Sequence, residues 1–314
     1  MAGHHHHVDP NAGDRRIAAA VGVNLALTVA QIIGGILSGS LALIADAIHN
    51  LSDALALVIA FGARKIARRP ADAKMTFGYA RAEVVAALIN YTTLIVIGLW
   101  LVYEGIARLI TPEGVNGWLV IWIAGFALII DLITAALTYT MSKDSMNIRA
   151  AFLHNVSDAL GSVGVIVAGV LILTFGWTWV DPVVTLGIAG YILWQSFSEI
   201  GPVIRLLMLG SPPEANADAI IADMRAVDGV ADVHHVHVWM IDEHRSAVNA
   251  HIVVDLGAWG RADAIKSVVR QSLTVHGIAH TTLEIECSRH ACQGAGLIGD
   301  APAIVHDHDH THGS

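Results

Sequence analysis

Cysteine is nearly absent: Cys287 and Cys292 are the only two in 314 residues. Two cysteines near one end do not make a disulfide framework, and their placement fits a reducing cytosol. Charge is scarce as well, with Asp, Glu, Lys and Arg making up 14% of the chain. A soluble domain carries about 25%, so this chain, 54% hydrophobic with a mean hydropathy of +0.59, is too apolar to be one throughout. Positive charge is the scarcer sign, 18 Lys and Arg against 27 Asp and Glu, for a net charge of -9. No basic arm is present, which argues against nucleic-acid binding. No His-Glu-x-x-His motif occurs, so the commonest zinc-hydrolase signature is missing. Met1 to Arg16 is polar and His-rich, and the apolar stretch behind it is too long for the core of a signal peptide.

What the chain does contain is hydrophobic length. Six segments exceed the ~20 apolar residues needed to cross a bilayer, near 16–37, 41–64, 81–109, 117–141, 148–174 and 180–206. Ser38-Gly39-Ser40, Thr111-Pro112-Glu113-Gly114, and Gly176 with Asp181-Pro182 punctuate them. Arg15, Arg16, Arg64, Lys65, Arg68, Arg69, Lys74, Arg81, Lys143, Arg149 and Arg205 fall at one set of ends. The opposite loops have almost no basic residues, Arg108 being the main exception. Positive charge stays inside, so both termini are expected in the cytosol. After Ser211-Pro212-Pro213 the composition turns soluble. Helical periodicity over 214–227 and 262–275, and strand alternation over 230–240, 246–255 and 281–287, predict a small αββαβ, ferredoxin-like α+β domain. The organisation read from sequence is a tail at 1–15, an all-α six-helix transmembrane domain at 16–210, a cytosolic domain at 211–290, and a His-rich, unstructured tail at 291–314.

One heptapeptide pattern, His-Asn-x-Ser-Asp-Ala-Leu, occurs twice within these apolar helices, at His49 to Leu55 and at His154 to Leu160. The His and Asp of each copy are four residues apart and share a helix face. Ionisable groups are expensive at that depth and mark ion pathways. His49, Asp53, His154 and Asp158 together offer two imidazoles and two carboxylates. Around a divalent cation their charges sum to zero, which lowers the penalty of holding an ion in low dielectric. Losing the metal strands two carboxylates, favours proton uptake and links metal release to proton binding. The plainer reading is hydrogen bonding between helices, but two matching copies in separate spans favour the metal. Asp46 either supports a ligand or faces an aqueous cavity, and Asp131 is either a proton relay or paired with an Asn or Thr. Asn50 and Asn155 read as packing contacts, and Gly34, Gly35, Gly161 and Gly164 as points of close helix approach.

These residues resemble the cation diffusion facilitator family, whose zinc-type transporters carry His-x-x-x-Asp in the second and fifth spans. The resemblance runs from about Arg16 to Glu286. It includes Ala45-Asp46-Ala47-Ile48-His49-Asn50-Leu51-Ser52-Asp53, Phe77-Gly78-Tyr79-Ala80-Arg81-Ala82-Glu83, the His154 to Asp158 copy, and His237-Val238-Trp239. It implies a six-helix homodimer that exports divalent metal from the cytosol in exchange for protons, in a bacterial inner membrane, for metal homeostasis and resistance. Zinc suits two His plus two Asp, with cobalt, nickel, cadmium and iron as other candidates. Some members bind a second metal between spans two and three through Asp and His. Asp72 remains here, but Met75 and Tyr79 stand where those histidines fall, so no site is expected there. Many zinc members also have a His-rich turn between spans four and five, whereas Ser142 to Asn147 contains no histidine.

By the same resemblance His234, His251 and Glu286 match a cytosolic metal site, with surface or interface roles as the alternative. Strand alternation is expected to place His235 and His237 on the face opposite His234. Metal bridging a dimer there makes the domain a regulatory sensor. Cys287, His290 and Cys292 form a further soft-ligand cluster, although their spacing departs from Cys-x-x-Cys. His4 to His7 and His306, His308, His310 and His312 are metal-capture tracts by composition, the first run having an expression tag as its alternative. Two other function classes compete. An intramembrane metallohydrolase needs an open metal position and a general base, and four protein ligands leave none. A membrane metal sensor needs an output module, and none is recognisable after residue 290.

Overall fold

The computed structural model describes residues 10–139, 146–292 and 296–299, excepting the side chains of 10–21, 23, 24, 57, 137, 138, 146–151 and 154. Contacts divide the chain into two units, one of residues 1–68 and 85–201, the other of 69–84 and 202–314.

The first unit is helical: α1 (Pro10–Ser38), α2 (Leu41–Ala67), α3 (Ala82–Ile110), α4 (Gly117–Tyr139), α5 (Met146–Phe175) and α6 (Val180–Leu207). The spacing of apolar runs and turn residues places all six where the sequence predicts, except that α1 starts earlier. Its first residue, Pro10, has a fixed φ that suits the first helical position. Five helices are long and apolar enough to cross a membrane, and the described apolar part of α1, Leu25–Ser38, is shorter. Large side chains such as Phe61, Trp122, Trp194 and Phe197 are exposed on these helices, as a lipid-facing surface requires.

Helix α2 is the centre of this unit. Its Ala42 and Leu43 pack with Val120 and Ala124 of α4 and Val165 of α5. Its Leu41 and Ala45 pack with Leu94 and Leu101 of α3 and Ala189 and Ile192 of α6. Ser40 starts the helix, accepting a hydrogen bond from the Leu43 N–H at 3.1 Å. Asp181, at the start of α6, accepts from the Ser40 hydroxyl at 2.5 Å and from the Leu41 N–H at 2.8 Å. A carboxylate on a helix N-terminus satisfies orphan donors and faces the positive end of the dipole. Of the glycines singled out by sequence, Gly34 is a close approach, since a Cβ there would overlap Ile123 of α4, but Gly164 has ordinary space. The α4–α5 approach is set instead by Gly117, whose Cβ would lie 2.7 Å from the Gly169 carbonyl oxygen.

The second unit contains α7 (Ala217–Arg225), β1 (Val230–Met240), β2 (Ser246–Val254), α8 (Ala262–Leu273) and β3 (Ile278–Cys287). The sheet order is β1-β2-β3, with β1–β2 antiparallel and β2–β3 parallel across the α8 connection. This is the predicted αββαβ domain. Ile220, Ile221 and Met224 of α7, and Ile265, Val269 and Leu273 of α8, cover one sheet face over Val233, Val248, Ile252 and Leu283. That core leaves His251, Glu284 and Glu286 on the other face, because adjacent strand residues alternate. Arg81 belongs to this unit and donates to the carbonyls of Met240 and Ile241, both at 2.9 Å. The tail is not wholly as expected. Residues 296–299 lie beside β1, with the N–H groups of His235 and Val236 donating to the carbonyls of Gly296 and Leu297 at 3.0 Å. The unsatisfied edge of β1 gives that short segment a partner that its own composition does not reveal. His4 to His7 and His306 to His312 lie outside the described residues.

Candidate metal centres

The first centre joins α2 and α5. His49 Nε2 lies 3.5 Å from Asp158 Oδ1 and 3.7 Å from Asp53 Oδ2. The three side chains each offer a ligand atom within 4.8 Å of the others. Ligands about 2.0–2.3 Å from a tetrahedral metal stand roughly 3.3–3.8 Å from one another, so the measured separations fit a shared ion. His49 is 8% exposed, and the Asp53 and Asp158 side chains are 28% and 10% exposed. His154 is on α5, four residues before Asp158 and therefore on the same helix face. Its side chain lies outside the described residues. The His49 ring meets Tyr191 of α6 edge-on, at 6.2 Å between centroids.

A polar network lies close by in sequence and helix position. The Gln31 amide of α1 donates to Asp46 Oδ2 at 2.7 Å, and the Asn50 amide donates to Gln31 Oε1 at 3.3 Å. Gln31, Asp46 and Asn50 are all buried. Asp46 Oδ1 faces Gly161 of α5, where a Cβ would come within 3.3 Å. Asp46 is thus a buried acid held by an amide rather than one facing an aqueous cavity. Asp131 accepts from the Ser162 hydroxyl at 3.2 Å, a serine where the sequence suggested an Asn or Thr. Gln31 and Tyr191 were missed by sequence reasoning. A lone polar residue in an apolar helix was the available signal for Gln31; Tyr191 had none.

The connection after α2 is closed by hydrogen bonds. Asp72 Oδ1 accepts from the N–H groups of Lys74 and Met75 at 2.8 and 2.9 Å, and Oδ2 accepts from the Tyr79 hydroxyl at 2.7 Å. The Tyr79 bond, with the two backbone bonds, holds the Asp72 carboxyl below its ordinary pKa, and the same contact pushes the Tyr79 phenol up. Both Asp72 oxygens therefore accept hydrogen bonds from within this connection.

The second centre is on the open face of the sheet. His234 stands opposite His251 in the β1–β2 register, and His251 opposite Glu284 in the β2–β3 register. His251 Nδ1 is 2.6 Å from Glu286 Oε1, and its Nε2 is 3.3 Å from Glu284 Oε2. His234 Nε2 is 3.4 Å from Glu286 Oε2. Cys292 joins the group: His234, His251, Glu286 and Cys292 offer ligand atoms within 4.8 Å of one another. Its N–H donates to Glu286 Oε2 at 3.0 Å and its thiol to Oε1 at 3.3 Å. Burial alone would raise the Glu286 carboxyl. Hydrogen bonds from Cys292 and His251 outweigh it and hold the pKa below the usual range. The same contact with Glu286 raises the Cys292 thiol.

The expected placement of His235 does not hold. The β1 register shifts between His234 and His237, and His235 has a positive φ of 50°. A bulge inserts a residue and breaks alternation, so the His235 ring lies 4.9 Å from that of His251 and 5.6 Å from that of His234. The same bulge overturns the expectation for His237: it pairs across from Asn249, two residues from His251 on β2, and so shares the open face with His234, although it is not among the four donors. Nor do Cys287 and His290 form a separate group with Cys292 among the described residues. The turn beyond β3 carries Cys292 back to Glu286 instead.

Comparison with known proteins agrees with both units. Residues 17–208 match the family described as the cation efflux transmembrane domain, and residues 212–287 match the cation efflux protein cytoplasmic domain. The chain is 36% identical over 289 residues to the cadmium, cobalt and zinc/H(+)-K(+) antiporter of Bacillus subtilis, covering 90% of this chain and 92% of that protein. It is 31% identical over 308 residues to the metal cation efflux system protein CzcD of Cupriavidus metallidurans, covering 97% of each. To the zinc transporter ZitB of Escherichia coli it is 34% identical over 307 residues, covering 97% of this chain and 96% of that protein.

Proposed function

This chain belongs to the cation efflux family of membrane metal transporters, and on that premise we propose that it exports Zn²⁺ from the cytosol in exchange for protons. It is a transporter and not an enzyme. The observation that carries the reading is the convergence of His49, Asp53 and Asp158 from two spans at ligand separations of 3.5 and 3.7 Å. His154 is the fourth donor, one turn before Asp158 on the same face. Two neutral imidazoles and two carboxylates neutralise the divalent ion, so it crosses the low-dielectric interior without net charge. When the ion leaves, protons take its place on the ligands, and the protonated site returns through the cycle. Metal and protons thus compete for the same oxygens, which is the physical basis of exchange. The names of the relatives support zinc, cadmium and cobalt as cargo, and the Bacillus subtilis name, which pairs H(+) with K(+), supports protons among the counter-ions. Zinc is the primary cargo because it accepts tetrahedral N/O ligation without a geometric penalty.

The protein acts as a homodimer in a bacterial inner membrane with both termini in the cytosol. The match to the cytoplasmic domain supports pairing, and the Lys and Arg at 64, 65, 68, 69, 74 and 81 support the orientation. His234, His251 and Glu286 form a cytosolic metal site that reports metal supply to the transporter.

The test is metal flux into proteoliposomes with an imposed pH gradient, run with zinc, cobalt, nickel, cadmium and iron. The expected result is pH-driven zinc flux that is lost in Asp53→Ala. Flux unchanged in that variant would overturn the site, and flux indifferent to the pH gradient would overturn proton exchange.

A further inference from the structure

We infer that Cys292 is the fourth donor of the cytosolic site, which makes it a thiolate-containing site for soft divalent ions, complete within one chain. This rests on the reading of His234, His251 and Glu286 as metal ligands. Local geometry delivers the thiol. After β3 the chain turns back, with the Ser288 N–H donating to the Val254 carbonyl at 3.2 Å and the His290 N–H to the Cys287 carbonyl at 2.8 Å. That turn seats the Cys292 N–H and thiol on the two oxygens of Glu286.

A second observation points independently to a ligand. His234 is 5% exposed, and its Nε2 makes no hydrogen bond among the described residues. It points at Glu286 Oε2 from 3.4 Å. A buried imidazole nitrogen without a hydrogen bond is costly unless something else binds it. The Nε2–Oε2 separation of 3.4 Å and the Sγ–Oε1 separation of 3.3 Å are the size of a tetrahedral edge around an ion bonded at about 2.0–2.3 Å.

The charge balance is also right. Two neutral imidazoles, one carboxylate and one thiolate cancel a divalent cation. As the Sγ–metal bond forms, the thiol proton leaves to solvent, and the sulfur becomes a thiolate. A thiolate favours zinc and cadmium and disfavours magnesium, calcium and manganese, which take oxygen ligands. The site therefore reads the soft ions against the abundant hard ones. Ligation also ties the turn at 288–292 to the sheet, because one donor lies beyond β3 while the others stand on β1, β2 and β3.

The experiment is Co²⁺ titration of the full-length protein, followed by absorption. Only Cys287 and Cys292 can give a sulfur-to-cobalt charge-transfer band, since the chain has no other cysteine. The band is expected in the wild type and in Cys287→Ser, and its loss is expected in Cys292→Ser. A band that survives in Cys292→Ser, or is absent from the wild type, overturns the inference while leaving the three-residue site standing. Wild-type spectra from His251→Ala would instead overturn the metal-site reading beneath it. Terminal His tracts and the transport site contribute no sulfur band, so they do not confuse the result.

Discussion

Gln31 has no charge and no place in the repeated motif, yet it holds two polar side chains of α2 at once. Its amide donates to Asp46 and its carbonyl accepts from Asn50, the residue next to His49. A buried acceptor that loses its donor destabilises the fold by about 1–3 kcal/mol. Gln31→Leu is therefore expected to lower thermal stability in detergent, with loss of apparent zinc affinity of roughly tenfold, as for residues that support metal ligands. Thermal unfolding and flux at graded zinc concentrations check both parts. An unchanged zinc dependence would separate the network from the metal site. Asp46 itself was legible as a buried acid in the sequence, but its partner was not, because the amide comes from a helix 15 residues away.

At the scale of elements, the β1–β2 turn shows how a single carboxylate fixes a connection. Asp242 Oδ1 accepts from the N–H groups of His244 and Arg245 at 2.9 and 2.8 Å, and Oδ2 from Arg245 Nε at 2.6 Å. Partial burial would raise its pKa, but the His244 and Arg245 contacts outweigh that and lower it. A depressed carboxyl contributes its full stability above the ordinary value of about 3.9 and loses it as pH falls through the lower, folded value. Amide hydrogen exchange at His244 and Arg245 is thus expected to stay slow at neutral pH and to rise, after correction for intrinsic rates, only in strong acid. In Asp242→Ala, which has no side-chain acceptor, the added protection is expected to vanish at all pH values. On β1, by contrast, no turn residue announces the bulge at His235. Period-two alternation placed His235 away from His234, and the β1 partner segment at 296–299 with the local positive φ overrode it.

For the whole molecule, metal handling is separated from folding. The core clusters around α2 are made of Ala, Leu, Val and Ile, whereas Asp158 is not one of their members. Asp158→Ala is expected to reduce flux to background while the protein remains membrane-inserted and elutes as the same oligomer. Flux assays paired with size-exclusion chromatography check this. A collapse of the oligomer would mean that Asp158 supports assembly and not only transport.

The sequence by itself determined the six apolar helices, the αββαβ domain and the repeated His and Asp residues proposed as donors within the membrane. Each is written in a local period or a repeated motif: apolar run length, strand alternation, and His and Asp one helical turn apart. Tertiary structure decided what depends on distant chain segments. It set Gln31 against Asp46, Ser162 against Asp131, and Asp181 on the first turn of α2. It also took Cys292 out of a cysteine–histidine cluster suggested by spacing and placed it on Glu286. Those pairings arise from helix packing, a bulge and a turn, and none of these has a periodic signature in the chain.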